Sequence, residues 1–491
     1  MTGTPTSNRP AAKPVLLPPT EPVGWPAWRL RDEAVRGALS VEEIVTAHQE
    51  RLADIDPWLN ATTAVAAESA IVEARALDGQ LRAKSQPGPL FGVPITVKDV
   101  IAVAGYPVTL GSARFVGNAA VRDAASVAIL RRAGAVVIAK TNCPEFAFGV
   151  TTDNAAFGAT RSPWGSHSPG GSSGGEAALL SAGASAVGLG TDYGGSVRWP
   201  AQCCGVLGLR PAVDSLEGAG QLPGPGGNMD GLFGPPGADR SVQSRLQVPG
   251  PLARTARDLA IVWSLLARPI GIPSSPAPAF GALQLPGPVG WVWTLDSQEP
   301  DPQVTAALFS VVKLLASLGV PTVEMPGALD GLHDLFNRLR STDALVDLKA
   351  AIGDGGEMIE EHSHRLLSAA PSSGADPAPL WAELGLRRQQ MGALLERTPL
   401  LICPVAPVDA CDMDGTAVVG GETVSGFDLM TYCRAVSALG FPALSVPCGL
   451  DHAGLPVSVQ IVCAPGRESL LFSLAVALEE HGGGYQSPPW L

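Results

Sequence analysis

The sequence predicts an α/β fold: a single large domain in which a central mixed, mostly parallel β-sheet is covered by helices on both faces. Apolar, β-branched stretches alternate with helical patterns, and "ASVAILRRAGAVVIAKTN" has the order helix, glycine stop, strand. Hydrophobic residues make up 46% of the 491 residues and charged residues 16%, so much of the chain must be buried. Because no linker separates the strand-like segments, we expect one domain over residues 25–491.

The chain order supports this fold. The segment "LSVEEIVTAHQERLADIDPWL" has apolar residues at helical spacing, and Ser40 with Glu43 forms a capping box at its start. A second helical pattern covers residues 68–84. The apolar stretch "VPITVKDVIAV" is then predicted to be a core strand with a charged end, Lys98 and Asp99. Further strand patterns occur in "LGVPTVEMP", "PLLICPVAP" and "PALSVPCGL".

Three regions are less regular. Residues 1–24 are rich in proline and are predicted to be a mobile tail. Residues 217–248 are dense in glycine and proline, which predicts a long loop that either borders the active site or is a surface insertion. The helical region 328–397 is interrupted near "SSGADPAP" and is expected to be variable and close to the substrate side.

Charge and composition exclude several functions. The net charge is −13 with no basic block, which argues against nucleic acid and anionic membranes as partners. No apolar run reaches the ~18 residues of a spanning helix, and the N-terminus has no apolar signal core, so we expect a cytoplasmic protein. The eight cysteines show no C-x-x-C spacing, which favours buried thiols over a metal site or a redox pair.

The motif "GGSSGG" admits more than one interpretation. A phosphate-binding loop needs Gly-Lys-Ser/Thr at its end, whereas Gly175 is followed by the acidic Glu176. The same motif fits the G-x-S-x-G nucleophile elbow, with Ser173 as the attacking residue. That interpretation needs a catalytic histidine, and none of the later histidines has a suggestive context: His333, His362, His364, His452 and His481.

A second serine site in "DYGGSVRWP" offers different chemistry. Ser196 follows two glycines whose unhindered N–H groups are suited to stabilise a developing oxyanion. A serine hydroxyl needs a base, and a buried lysine with a lowered pKa is one that does not require histidine. Lys98 and Lys140 both lie in apolar strand patterns, so the pattern alone leaves the base open between them.

Three segments resemble the amidase signature family: "GPLFGVPITVKDV", "SPGGSSGGEAALLSAGASAVGLGTDYGGSVRWPAQCCGVLGLRP", and "GFPALSVPCGL" followed by "GLPVSVQIV". The similarity runs from about Leu30 to Gly484. It implies the amidase signature fold and a catalytic triad with Ser196 as nucleophile, Ser172 as bridging residue after a cis peptide bond, and Lys98 as base. It implies no metal or cofactor. The implied oxyanion hole consists of the backbone N–H groups of Tyr193, Gly194, Gly195 and Ser196.

The resemblance also suggests supporting and substrate-binding residues. We expect Asp192 and Arg198 to form a buried pair that holds the nucleophile loop, with Thr191 and Ser173 as further supporting residues. The candidates that line the pocket are Phe146, Phe148, Thr152, Tyr193 and Phe441. This wall is apolar and aromatic with no obvious arginine for a substrate carboxylate, which predicts a neutral, apolar or aryl substrate.

These residues lead to three hypotheses about the function of the protein. The leading hypothesis is a free-standing hydrolase, a monomer or homodimer, that cleaves small-molecule amides and also carbamates (urethanes) or esters. The alternative is a component that hydrolyses glutamine for a partner enzyme, and its activity is expected to rise when the partner is present. The third is a scaffold protein without catalysis, against which the presence of Lys98, Ser172 and Ser196 argues.

Overall fold

The structure, a computed structural model, describes residues 22–216, 220–221, 241–267, 283–353, 356–371 and 376–489. The strands are β1 (Thr62–Val65), β2 (Pro94–Lys98), β3 (Val136–Thr141), β4 (Val187–Asp192), β5 (Leu207–Arg210), β6 (Val248–Ala253), β7 (Val289–Trp291), β8 (Thr322–Glu324), β9 (Leu400–Pro404), β10 (Thr416–Val419), β11 (Glu422–Ser425), β12 (Ala443–Leu450) and β13 (Pro456–Cys463).

The α-helices are α1 (Ala27–Arg36), α2 (Val41–Leu59), α3 (Ala67–Arg82), α4 (Ala125–Arg132), α5 (Gly174–Ser181), α6 (Arg198–Cys203), α7 (Val242–Leu246), α8 (Ala256–Leu266), α9 (Pro302–Ser317), α10 (Leu332–Ser341), α11 (Val346–Ile352), α12 (Glu361–Ala369), α13 (Ala378–Arg397), α14 (Thr431–Leu439) and α15 (Glu468–Glu480). None of the helices in the described segments combines the length and the apolar character that crossing a lipid bilayer requires.

The central sheet has 11 strands in the order β1-β3-β2-β4-β6-β5-β12-β13-β9-β7-β8, and β10 and β11 form a separate hairpin. This confirms the predicted single α/β domain with a mixed sheet. Parallel pairing is less extensive than expected, because every neighbouring pair from β4 to β9 in that order is antiparallel. A short connection such as the one between β12 and β13 can join only antiparallel neighbours.

The predicted N-terminal helices are present. Ser40 caps α2: its Oγ accepts the N–H of Glu43 at 3.1 Å, and the Glu43 carboxylate accepts the N–H of Ser40 at 2.7 Å. The second helical pattern corresponds to α3. Both helices pack with β2 and β3 through buried apolar residues, among them Ile44, Val45 and Ala70. These contacts stabilise the part of the sheet that carries the site.

The three regions predicted to be less regular agree with the structure to different extents. Residues 1–21 and most of the predicted loop 217–248 lie outside the described residues. Residues 242–246 of that predicted loop form α7, and Val248 begins β6, so the end of the region is regular structure. The region 328–397 contains α10 to α13, which agrees with its helical pattern.

Strands β2, β3 and β4 are parallel neighbours, and this arrangement positions the site. The carboxyl ends of parallel strands meet at one edge of a sheet, where binding sites commonly form. Lys98 ends β2, Thr141 is its register partner at the end of β3, and Asp192 ends β4. Helix α5 begins immediately after Ser173 and brings the glycine-rich motif to the same edge.

Candidate active site

Lys98 is the centre of the site. Its side chain is fully buried, and its Nζ lies 2.6 Å from the Oγ of Ser172 and 3.0 Å from both the Ser173 Oγ and the Thr191 Oγ1. Three hydroxyl groups from two different segments therefore surround one amine. Within the described part of the chain, no carboxylate lies within ion-pairing distance of this amine.

The surroundings of Lys98 favour its neutral form. Burial lowers the pKa of Lys98 from 10.5 to about 8, although acidic groups, including Asp192 and Glu176, oppose this shift. Asp99, its neighbour in sequence, uses its carboxylate elsewhere: it accepts the N–H and the hydroxyl of Thr109 at 2.9 and 3.0 Å. An amine with a pKa of about 8 is neutral in a useful fraction near neutral pH.

Lys140 is also buried but has a different environment. Its Nζ donates to the backbone carbonyls of Asp99 and Pro107, each at 3.0 Å. These contacts join two loops and bring the amine to neither serine. Of the two lysines that the sequence left open, the structure brings Lys98 to Ser172 and Ser173.

The Gly171–Ser172 peptide bond is cis, at the position that the resemblance implied. The backbone around it is tightly packed, since a β-carbon on Gly171 would lie 2.5 Å from the carbonyl oxygen of Thr151. The Oγ1 of Thr152 accepts the N–H of Gly174 at 3.1 Å and donates to the carbonyl of Gly170 at 2.9 Å. Thr152, predicted to line the pocket, thus holds the serine loop and is almost fully buried.

Ser196 lies on the loop between β4 and α6, and its side chain is 8% exposed. Its carbonyl accepts the N–H of Ser173 at 3.1 Å, so the two serine-bearing loops are joined directly. Gly195 has a φ of +126°, and a β-carbon there would lie 2.6 Å from the Cβ of Cys433, so only glycine fits this position.

The implied oxyanion donors differ from one another in the structure. The N–H of Gly195 donates to the Oδ1 of Asp192 at 2.9 Å and is already used. The N–H groups of Tyr193, Gly194 and Ser196 have no partner within the described segments. These three N–H groups therefore remain available to a developing negative charge.

Asp192 and Arg198 form the expected buried pair, with Oδ1 to Nη2 at 3.0 Å and both side chains inaccessible. Asp192 also contacts Arg210 at 3.2 Å and accepts the N–H of Val197 at 3.2 Å. Burial raises the pKa of Asp192, but the two guanidinium groups outweigh it and hold this pKa well below its usual value. Arg198 donates to Ser437 at 2.7 Å, which fixes the loop to α14.

The predicted pocket residues are only partly brought to a cleft. Phe148 lines a cleft of about 590 Å³. Phe146 does not: it is fully buried, and its ring contacts those of Phe115 and Phe148 at 6.3 and 6.1 Å. Phe441 is 8% exposed and packs in the apolar core around α14. The prediction that Phe146 and Phe441 line a pocket is corrected, because both rings pack among apolar core neighbours.

The nucleophile-elbow interpretation requires a histidine beside Ser173, and none lies there in the described structure. The Oγ of Ser173 contacts Lys98 Nζ at 3.0 Å and the backbone of Thr191 at 3.4 Å. His362, in the first turn of α12, instead contacts the carbonyl of Phe148. Ser173 therefore shares the lysine with Ser172 and has no imidazole beside it in the described structure.

Sequence reasoning missed two charged residues, Glu176 and Arg210. Glu176, considered only as an obstacle to phosphate, is buried and accepts hydrogen bonds from Thr96 at 2.5 Å and Thr141 at 2.8 Å. Burial raises its pKa to about 8. Arg210 was also missed, although an arginine at the end of the apolar strand "LGLR" is a signal for a buried ion pair.

The fold and the site together define a class of protein: an α/β enzyme in which a buried lysine and glycine-flanked serines meet at the edge of a mixed sheet. The chain belongs to the amidase signature family, since the family model described as Amidase matches residues 43–472. As a member of this family, it is an enzyme that acts on carbon–nitrogen bonds.

Individual relatives fall into two groups. The chain is similar to the glutamyl-tRNA(Gln) amidotransferase A subunit from Acidothermus cellulolyticus, with 33% identity over 90% of this chain and 91% of the relative. Among solved structures, it is similar to 6-aminohexanoate cyclic dimer hydrolase, with a TM-score of 0.78, 26% identity, and coverage of 96% of this chain and 98% of that one. It also matches a peptide amidase from Stenotrophomonas maltophilia, with a TM-score of 0.74, 25% identity, and coverage of 95% and 99%.

Proposed function

We propose that the protein hydrolyses small-molecule amides through a covalent acyl-enzyme on Ser196. The observation that carries this proposal is the 2.6 Å contact between the buried amine of Lys98 and the Oγ of Ser172. A base, a bridging serine hydroxyl and a second serine on a glycine-rich loop are groups that can carry out acyl transfer without histidine.

The proposed reaction has two balanced halves. Neutral Lys98 accepts a proton from Ser172, and Ser172 accepts a proton from Ser196. As this happens, the Oγ of Ser196 attacks the carbonyl carbon of the substrate. The proton returns through Ser172 to the leaving nitrogen when the C–N bond breaks, which releases an amine or ammonia. Water then attacks the ester by the same proton path and releases the acid, which regenerates Ser196.

The expectation of a neutral substrate does not carry over into this proposal. It rested on a pocket wall without an arginine, whereas Arg340 lines a cavity together with Tyr193. Because that premise is wrong, we propose amide hydrolysis without a preference for apolar or aryl groups. Carbamates and esters would react by the same acyl chemistry but have no separate support.

A second candidate is a glutamine-hydrolysing component that works with a partner enzyme. Two relatives favour it: the amidotransferase A subunits from Acidothermus cellulolyticus and Thermosynechococcus vestitus are 33% and 30% identical to this chain over 90% and 94% of its length. This candidate predicts that ammonia release from glutamine by the purified chain is weak and increases when the other amidotransferase subunits are added.

One experiment tests both candidates. The purified protein is treated with a fluorophosphonate, the adduct is located by peptide mass spectrometry, and hydrolysis of an amide panel and of glutamine is measured with and without candidate partner proteins. An adduct on Ser196 with partner-independent hydrolysis supports the first candidate. Hydrolysis limited to glutamine and dependent on a partner supports the second. The absence of both an adduct and turnover would overturn the acyl-enzyme proposal.

The pH dependence provides a further prediction. Lys98 must be neutral to act, so kcat/KM is expected to rise with pH through about 8 and then reach a plateau. Glu176 raises the pKa of Lys98 when its own carboxylate, with a pKa of about 8, is charged. Glu176→Gln removes that charge and should move the midpoint of the profile to lower pH. The measurement is kcat/KM from pH 6 to 10, a range of about two units on either side of that pKa.

A matched control is Glu479→Gln. Glu479 is another glutamate with a raised pKa, about 7, but it lies in α15, where it accepts the N–H of Ala256 at 2.7 Å. Its removal should leave the midpoint where it is. A midpoint that stays fixed or moves upward in Glu176→Gln would contradict the assigned charge interaction.

A further inference from the structure

A cavity of about 160 Å³ lies beside the nucleophile loop. Tyr193, the residue after β4, lines it together with Phe148 and with Arg340 from the end of α10. The cavity therefore touches the segment that carries the implied oxyanion donors. It is separate from the contacts of Lys98 and has no role in the proton path described above.

Arg434, on α14, packs against this loop but does not itself line the cavity. It is 4% exposed, and its Nη1 donates to the Oδ1 of Asn337 at 2.8 Å. Its Nε is buried and has no hydrogen-bond partner in the described structure. This Nε lies close to the loop, since a β-carbon built on Gly194 would be 3.5 Å from it. A buried guanidinium N–H without an acceptor is costly and points to a missing ligand.

Tyr193 also carries a buried polar group that lacks a hydrogen-bond partner. Its hydroxyl is buried and has no partner among the residues that the structure describes. Its ring packs against Phe336 with 5.0 Å between centroids, and the guanidinium of Arg434 lies 5.3 Å from the centroid of the Phe336 ring. The two unpartnered donors thus share one aromatic neighbour next to the nucleophile loop.

Arg340 adds a second positive charge. Its guanidinium has no hydrogen bond or ion pair within the described segments, and it lies 4.9 Å from the ring centroid of Phe427. Arg434 lies 4.3 Å from the centroid of that same Phe427 ring. Two guanidinium groups around one ring repel each other. Burial and, after it, the charge of Arg340 lower the pKa of Arg434 to about 9.

Within the described segments, neither arginine forms an ion pair with the acidic groups nearby. Asp343 lines the cavity, but its two oxygens accept the backbone N–H groups of Gln243 at 2.9 Å and Leu345 at 3.1 Å. Asp428 attracts Arg434, but its own side chain is 71% exposed and lies toward His333. Arg340 and Asp343 therefore balance in charge at the cavity wall, and Arg434 beside it adds a further positive charge. With the unpartnered Arg434 Nε and Tyr193 hydroxyl, this leaves donors without acceptors, which a carboxylate would satisfy.

We propose that Arg340, Arg434 and the hydroxyl of Tyr193 form a recognition site for a carboxylate on the substrate. The substrate class is then a monoamide of a dicarboxylic acid, with its amide at Ser196 and its free carboxylate in the cavity. This inference rests on the proposed amide hydrolysis for the identity of the bond that is broken. The sequence predicted a neutral substrate, whereas this proposal predicts an anionic substrate whose carboxylate binds the arginines.

The test measures binding without turnover. Full-length protein with Ser196→Ala is titrated by calorimetry with succinamate, glutaramate and adipamate, and with the neutral analogues butanamide, pentanamide and hexanamide. At least one carboxylate probe is expected to bind with a Kd about tenfold or more below that of its neutral analogue, as charge-assisted hydrogen bonds predict. Equal affinities for every matched pair would overturn the proposal.

Variants assign the effect to the arginines. Arg340→Gln and Arg434→Gln, each combined with Ser196→Ala, should remove most of the preference for the carboxylate probe. Arg338→Gln is the matched control, because Arg338 lies on the same helix as Arg340 but pairs with Asp334 and Glu383 at the surface. If Arg434→Gln fails to fold, the half-buried Arg340 still decides the outcome. An unchanged preference in Arg340→Gln would refute its role.

The binding assay tests the recognition site, and the turnover assay tests the proposed function. Carboxylate-selective binding with no hydrolysis of any amide by the unmodified enzyme would overturn the proposed function and keep the recognition site. Hydrolysis of amides with no carboxylate preference would keep the function and overturn the site.

Discussion

Ser196→Ala is expected to reduce kcat for amide hydrolysis by roughly 10⁴-fold or more, because it removes the atom that forms the acyl-enzyme. The side chain is small and partly reaches the surface at 8% exposure, so its loss should leave the melting temperature nearly unchanged. Steady-state kinetics and circular dichroism on the same preparation measure both effects. The variant should also lose labelling by the fluorophosphonate.

Ser173→Ala is the control for this experiment. Ser173 contacts Lys98 and donates its backbone N–H to the carbonyl of Ser196, but in our mechanism its hydroxyl does not attack. We expect a smaller loss of kcat and continued labelling of Ser196. The opposite result, with labelling lost in Ser173→Ala and retained in Ser196→Ala, would establish the nucleophile elbow and refute our assignment.

Lys98→Met is expected to reduce kcat/KM by about 10²–10⁴-fold, the range that a positioned general base supplies. Methionine matches the unbranched lysine side chain in size and removes only the amine, so the apolar surroundings should accept it. The three hydroxyls of Ser172, Ser173 and Thr191 would lose their shared partner. The residual rate should no longer rise through pH 8, the ionisation that we assign to Lys98.

Lys140→Met separates catalysis from structure. Its amine donates to the carbonyls of Asp99 and Pro107, so its removal leaves two buried acceptors without a donor, at a cost of about 1–3 kcal/mol each. We therefore expect a lower melting temperature and a nearly unchanged kcat/KM at temperatures where the protein is folded. Loss of activity in Lys140→Met, with activity retained in Lys98→Met, would exchange the roles of the two lysines.

The sequence identified both serine sites because glycine-rich motifs are long and specific, but it could not choose between the lysines. That choice depends on strand register. Lys98 pairs with Thr141, whereas Lys140 pairs with Val97 one position earlier. Since successive side chains of a strand point to opposite faces, the two lysines lie on opposite sides of the sheet. Register is a property of the assembled sheet and is not readable from one strand.

The two neighbouring arginines were missed for a related reason. Arg340 and Arg434 lie on α10 and α14, which are far apart in sequence and pack together in the fold. Each arginine alone reads as an ordinary polar residue of an amphipathic helix. Only helix packing places both around Phe427 and beside Tyr193. The predicted aromatic pocket failed similarly, since Phe146 looks the same in sequence whether it lines a cleft or fills a core.

The position of Lys98 at the end of β2 has a consequence for how the family varies. The proposed base, Lys98, lies in the middle one of three parallel strands, whereas Arg340 and Arg434 lie on helices. In our proposals the base and the two arginines thus come from different elements, and Tyr193 on the nucleophile loop links them. Grafting the 332–341 helix from a relative onto this scaffold should change the part of the substrate preference that depends on Arg340 while Lys98 stays in place, so this helix is a natural first unit for re-engineering the enzyme.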